Sequence, residues 1–485
     1  MTKVIINKFN GGQAKDIRTT RTNQAERVQN YDVNSFENTI IPFRTLVSDT
    51  VNSGSFDDYQ ISDVIHASFV GFVGYGRKSS INGNPKFFKK TAITDTWTHS
   101  TEDSSGVYIK NTLVAYKGHA YALRTDAGGT VLLKYDGSSI TTVGTITDTF
   151  SVELNPRPFV HPSDNILYMV VGFTIAKYDG TTLTEHDSIL ASQPSYTSLT
   201  NYGDYLAIAS YSGLNSSVLL WGRDTSLNIM QGSIDFGVGR LLALENINEV
   251  LVGVIYPTNL SLSLDNEITV KTWAGGQVNV VAEISTLTYP FGSNLKDKSR
   301  NRLYFKVDET NIFSVGQNTD GQWTMVGGNS VAEGGGSVGS VLGFTILDDY
   351  YVFCNFNGST NYSVVRTGTA YNSTQSIFRT TINQGMDLQD RYEDKELTGV
   401  YISYSGATTG NLEVYYSVDG STFEQIISQP NTAGEKYVYT QTQTSNTNSI
   451  PLLGGREIRL EIRSTGAVKI KELGYYYNVV GKVNG

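Results

Sequence analysis

AYALR and VLLKYDG (Ala120–Arg124, Val131–Gly137) return as ILYMVV and FTIAKYDG (Ile166–Val171, Phe173–Gly180). Each copy is an apolar strand, a turn, a second apolar strand and a polar turn, so the repeated unit is a strand pair. Looser copies keep that order: DYLAIAS with SVLLWGRD (204–210, 217–224), NRLYFKV with NIFSVGQNTDGQW (301–307, 311–323), and YYVFCNF with NYSVVRTG (350–356, 361–368). Closing turns at Gly137, Gly180, Asp224, Gly275, Gly321 and Gly368, with an earlier one near Trp97, recur at roughly 45 residues, the period of a four-stranded propeller blade. A strand pair with one buried face needs neighbours on both sides, so several must close into a ring. The pattern predicts an all-β chain whose centre is a β-propeller of roughly six or seven blades.

Composition agrees. The 485 residues include 30 Tyr, 20 Phe, 48 Gly and only 5 Met, with 17% charged, which suits aromatic strands punctuated by turns. A net charge of −9 argues against a chain that grips phosphates over its whole surface. The single cysteine, Cys354, sits in an alternating run and is expected to be a buried structural residue. The longest apolar runs are too short to cross a bilayer. The opening MTKVIINKFNGG has no signal-peptide pattern, so the expectation is a soluble protein made in a cytoplasm.

Three regions follow: residues 1–60 as an extended docking arm, 61–380 as the propeller and 381–485 as a β-sandwich. In the arm, Lys3, Lys8, Lys15, Arg18, Arg21 and Arg27 face only Asp16 and Glu26, a local excess of four positive charges in an acidic chain. Val4–Phe9 reads as a strand broken at Gly11 and Gly12. Asn23 with Glu26 reads as the cap of a short helix. Such an arm buries too little alone, so an added edge strand on its own propeller or on a neighbouring subunit is expected. The first blade begins in HASFVGFVGYG (66–76). If the two ends fasten the ring, residues near Val64 lie beside residues near Phe378.

After Asp387 the alternation is cleaner. Val400, Ile402 and Tyr404 share a face, as do Leu412, Val414 and Tyr416, and Ile458, Leu460 and Ile462, with Glu457, Arg459, Glu461 and Arg463 opposite. With GAVKIKELGYYYNVV (466–480) these strands fit a sandwich. Its edges or Tyr475–Tyr477 are a candidate assembly face.

Catalytic, cofactor and metal residues are not found. His66, His99, His119, His161 and His186 are scattered, without metal-ligand spacing, and no nucleophile elbow occurs. GGGSVG (334–339) precedes a strand, not a helix, and reads as a loop. Asp419-Gly420 within SVDGSTF (417–423) reads as a hairpin turn. The paired acids Asp57-Asp58 and Asp348-Asp349 read as turn acids, and Asp57, Asp58 and Asp63 lack the spacing of a calcium loop.

FNGGQAKDIRTTRTNQAERVQNYDV (9–33) resembles the opening of tail and virion structural proteins of tailed bacteriophages that continue into a propeller. The resemblance implies a ring of about six identical copies at the distal tail, similar to the nozzle of short-tailed phages. Its partners would be other tail or head-tail connector proteins, with genomic DNA passing transiently, and its place the virion tail, assembled in the host cytoplasm. An acidic wall would let DNA slide. The assembly residues so implied are Lys3, Lys8, Phe9, Gly11, Gly12, Lys15, Arg18, Arg21 and Arg27. The alternatives are a receptor- or carbohydrate-binding tail protein using loop Tyr and Trp, and a glycoside hydrolase.

Overall fold

The computed structural model describes residues 2–6, 25–29, 31–32, 41–42, 44–49, 59–78, 85–100, 106–149, 156–186, 195–223, 230–257, 267–285, 296–299, 301–308, 310–317, 321, 323–330, 340–347, 350–356, 362–371, 376–380, 386, 390–406, 410–430, 434–441 and 454–480. The regular secondary structure of the described residues is almost wholly β-strand, with one short 3₁₀ turn at Asp390–Tyr392. The chain divides into two compact units, one of residues 46–312 with 330–367, the other of residues 1–45, 313–329 and 368–485.

The first unit is a succession of antiparallel sheets laid down in chain order. The first contains Tyr59–Ala67, Gly71–Lys78, Pro85–Lys90 and Thr98–His99. The second spans Val107–Ile146, the third Phe159–His186, the fourth Ser195–Val238 and the fifth Arg240–Ser285, each a meander. The hairpin Lys296–Ser299 and Arg302–Lys306 opens a sixth. The last contains Ser340–Leu347, Tyr350–Phe356 and Tyr362–Tyr371, and its fourth strand is Arg44–Ser48, taken from the N-terminal side of the first sheet.

Each sheet is sandwiched between its neighbours, which is why its middle strands read as continuous apolar runs. Alternate residues of one strand serve two cores. Ala122 and Leu133 pack toward Val73 and Phe87 of the first sheet. Leu123 and Leu132, one position along, pack toward Leu167 and Met169 of the third. Tyr168 and Ile175 then meet Ile208 and Trp221 of the fourth, and Ala207 and Val218 meet Leu241 and Leu251 of the fifth. The series returns on itself: Ile61, Val64, Phe72 and Trp97 of the first sheet share a core with Val352, Cys354 and Val364 of the last. The arrangement is propeller-like, and Cys354 is fully buried, as expected.

The repeated KYDG has a local cause. Asp136 Oδ1 accepts the N–H groups of Ser138 and Ser139, each at 2.8 Å, and Tyr135 donates to the carbonyl of Gly137 at 3.1 Å. The second copy repeats this with Asp179 on Thr181 and Thr182 at 2.7 and 2.8 Å and Tyr178 on Gly180 at 2.8 Å. The turn needs a positive φ, and Gly137 and Gly180 supply 97° and 104°. Gly137, Gly180, Gly275 and Gly321 all lie between third and fourth strands. Gly368 does not: it lies within Tyr362–Tyr371, a strand longer than the repeat suggests.

The second unit holds the two-stranded pair of Tyr31–Asp32 with Ile41–Pro42 and two larger sheets around one core. The front sheet runs Thr2–Ile6, Val468–Val479, Lys395–Gly406, Gly434–Gln441, with Gly454–Gly455 beside Lys395; the back sheet runs Ala25–Gln29, Ser376–Thr380, Ile458–Ser464, Asn411–Val418, Glu424–Pro430. The nine alternating residues from Val400 to Ile462 singled out in the sequence are all in that core, joined by Ile6. Asp419 and Gly420 form the hairpin turn with φ of 49° and 75°.

Two expectations fail here. The helix capped by Asn23 is replaced by the strand Ala25–Gln29, whose pairing with Ile377–Thr380 outweighs a weak local capping signal. The strand added to the last sheet comes from Arg44–Ser48, not from near Phe378; Phe378 pairs with Val28 and Ile462 in the back sheet, and Val64 shares a core with Val352, Cys354 and Val364.

Candidate functional site

Two polar constructions stand out. The first joins the innermost strands of the first unit. Asp63, fully buried, accepts the N–H groups of Val64 and Leu113, each at 3.0 Å, and is bonded to Arg157. Arg157 also reaches the carbonyl of Lys296 at 3.4 Å. Lys296 donates to the carbonyls of Leu199, at 2.7 Å, and Leu244, and to Glu245 Oε2 at 2.9 Å. Thr200 donates to Glu245 Oε1 at 3.1 Å. Asp297, next to Lys296, accepts from the N–H of Ile346 at 2.8 Å. One network therefore ties together strands or strand entries from each of the sheets that the first unit lays down in chain order.

Burial dominates its electrostatics. It raises the pKa of Asp63 and of Asp297 above the ordinary carboxylate value, while the nearby Arg157 charge pulls both down. It lowers that of Lys296 against the opposing pull of Glu245. Paired ions in such a setting hold geometry at a desolvation cost. The oxygens of Asp63 are thus occupied by protein donors, and Asp57 and Asp58 lie outside the described residues.

The second construction closes the ring of sheets. Asp49 follows the strand Arg44–Ser48. Its Oδ2 accepts from Trp97 Nε1 at 2.8 Å and from Lys90 of the first sheet. Its Oδ1 accepts from Arg366 Nε of the last sheet at 2.5 Å, and its N–H donates to the carbonyl of Val364 at 2.8 Å. Lys90 and Asp49 side chains are 0% and 4% exposed. The sequence gives one faint sign of both constructions: ionisable residues such as Asp63 and Glu245 set inside otherwise apolar strands.

Of the arm residues, Lys3 and Arg27 are described and lie in different sheets. Lys3 is in the front sheet opposite Tyr476, with Nζ 4.5 Å from the centre of the Tyr401 ring. Arg27 is in the back sheet, its backbone opposite Arg379. Lys8, Phe9, Gly11, Gly12, Lys15, Arg18 and Arg21 lie outside the described residues, as do Asp348, Asp349 and residues 334–339. The tyrosine run at 475–477 divides: Tyr475 and Tyr477 are core residues, and half-buried Tyr476 lies on the opposite face with fully buried Tyr401 and exposed Tyr437 and Tyr439, at ring separations of 5.5–5.7 Å.

Tryptophan is not the exposed aromatic. Trp97 and Trp221 are fully buried, and Trp273 and Trp323 are half-buried. Among the described residues no group of three or more His, Cys, Asp or Glu is placed to hold a metal ion, and no helix is long and apolar enough to cross a membrane.

No family model matches the chain, and no curated protein matches it. Solved structures similar to it include the WD40 domain of Neurospora crassa Pan2, with a TM-score of 0.41 at 11% identity over 67% of this chain and 96% of that one. An exo-β-1,3-galactanase from Phanerochaete chrysosporium has a TM-score of 0.29 at 10% identity, over 90% and 99%. A Trypanosoma rangeli sialidase mutant with trans-sialidase activity has a TM-score of 0.32 at 8% identity, over 90% and 94%. The likeness goes no further than an all-β, propeller-like architecture.

Proposed function

We propose that the chain is a structural component of a bacteriophage tail, nozzle-like or in a distal ring, that assembles with copies of itself. In this reading the sheets laid down in chain order are a propeller of seven blades, beginning at residues 59, 107, 159, 195, 240, 296 and 340, and the front and back sheets are a β-sandwich. The propeller is the rigid body. The sandwich and the N-terminal strands are the joining part, and the acidic balance of the chain keeps passing DNA from sticking. Other tail or connector proteins are the remaining partners, and the virion is the location.

The observation that carries the reading is the incorporation of Thr2–Ile6 and Ala25–Gln29 into the front and back sheets of the second unit, which joins these two N-terminal strands to the C-terminal sheets. The likeness of residues 9–33 to phage tail proteins supplies the setting. Electron microscopy of the purified full-length chain tests it: closed rings are expected, and single particles at every concentration would defeat it. Deleting residues 1–30 is expected to abolish the rings and leave a folded single chain.

A further inference from the structure

The front sheet of the second unit has two outer strands, Thr2–Ile6 and Gly434–Gln441. Every pairing between them is antiparallel, so across four strands the two edges run in opposite directions. Among the described residues no strand pairs with the free side of either. A free edge is a template for another strand, and proteins commonly blunt it with proline, bulges or charge. The back sheet's edge Glu424–Pro430 carries Pro430 and a register break at Val414/Tyr415. Gly434–Gln441 pairs over eight residues without a break and contains no proline; its charges, Glu435 and Lys436, sit together at its start and leave Tyr437–Gln441 uncharged.

The outward face beside that edge is aromatic. Tyr437 stacks on Tyr401 with ring centres 5.6 Å apart, Tyr439 meets Tyr476 edge-on at 5.5 Å, and both stay open, 58% and 39% exposed. Lys3, on the opposite edge strand, already lies over the Tyr401 ring of its own chain. Tyr476 and Tyr401 are opposite glycines, Gly399 and Gly474, with a register break at Leu397/Gly399.

We infer that Gly434–Gln441 is an assembly edge whose occupant is the Thr2–Ile6 edge of a second copy of this chain. The directions fit, because opposite edges of one sheet in two translated copies pair antiparallel. A head-to-tail contact of this kind generates rings or filaments. The charges fit too: residues 1–30 carry six Lys and Arg against two acids, a net +4, so the remaining chain carries −9 − 4 = −13. Lys3 is the one charge on the edge strand itself, so the fit is between a basic N-terminal segment and an acidic remainder of the chain. This inference rests on the self-assembly proposed above.

The test uses the full-length chain with p-benzoylphenylalanine at position 437, prepared as an equal mixture of normal and heavy-nitrogen copies. Photolysis and mass spectrometry should yield mixed-isotope cross-links to residues 1–8; assembled rings whose cross-links between copies all fall elsewhere would overturn the inference. Tyr437→Asp with Tyr439→Asp, both exposed and so compatible with folding, should weaken self-association at least tenfold by mass photometry, with the circular dichroism unchanged. Rings unaffected by that pair would overturn the edge contact alone, whereas a wild-type chain that never associates would overturn the self-assembly reading. Sugar-dependent binding lost in the pair while rings persist would also count against it, assigning the tyrosines to a glycan.

Discussion

At the residue scale, the ionisable groups that matter are the ones set where charge is costly. Asp49 holds Lys90, Trp97 and Arg366 at once, so Asp49→Ala leaves two buried cations uncompensated. A loss of about 3–5 kcal/mol is expected for breaking such a site from one side, read as a fall in the urea midpoint with little change in slope; a loss no larger than that of an exposed Asp→Ala control would show that Asp49 does not hold the closure. Asp297 makes a different point. Burial raises its pKa above 3.8, so the folded state holds its proton more tightly than the unfolded chain does. Stability from this group is complete below that ordinary value and declines as pH rises through the folded pKa. Asp297→Asn should therefore gain on the wild type as pH is raised from 4 toward 7, in parallel denaturant titrations; a variant that loses ground over that range would make the Arg157 charge the stronger influence. The same residues show where the sequence ceases to be legible. KYDG could be read because its partners lie within three positions, Asp136 on Ser138 and Ser139. Asp49 and Arg366 are 317 positions apart and Arg157 and Asp63 are 94 apart, and no local pattern joins them.

At the element scale, strand periodicity carried most of the fold because burial on one or both faces leaves a mark on every second residue. Val400, Ile402 and Tyr404 were readable for that reason, and they are core residues. Ala25–Gln29 was not, since a short AERVQ has helix-compatible residues and becomes a strand only by pairing with Ile377–Thr380. The Asp419-Gly420 turn was readable because its two positive φ values select those residues. Approach between sheets leaves a fainter trace. Gly343, in the first strand of the last sheet, has no strained φ, yet a Cβ there would lie 2.3 Å from the carbonyl oxygen of Ser62 and 2.9 Å from the Cα of Asp63. The innermost strands of the last and first sheets thus meet backbone to backbone, with a register break in each, at Val341/Gly343 and Ile61/Asp63. Neither backbone can yield cheaply. Gly343→Val is expected to cost about 1–3 kcal/mol or more by overpacking, while Gly276→Val, where nothing lies within 4 Å, should cost little. Equal thermal midpoints for the two variants would mean the inner strands can part without penalty.

At the scale of the whole molecule, the N-terminal residues serve two different bodies, and truncation separates the roles. Removing residues 1–30 takes Thr2–Ile6 and Ala25–Gln29 from the edges of the front and back sheets, together with Ile6 from their core. It leaves Arg44–Ser48 and Asp49 in place. The calorimetric transition of the second unit should fall while that of the first stays where it was. Removing residues 1–49 also takes the fourth strand of the last sheet and the acid that joins it to the first. A closed series of sheets, each packed on both neighbours, loses its end contacts together when the closure goes, so the first transition should fall as well. Trp97, fully buried and bonded to Asp49, reports the event directly: its fluorescence should shift to the red in the longer truncation and not in the shorter. If the shorter truncation lowers both transitions and exposes Trp97, the N-terminal strands stabilise the repeated sheets as well, and the division of labour between residues 1–30 and 44–49 is wrong.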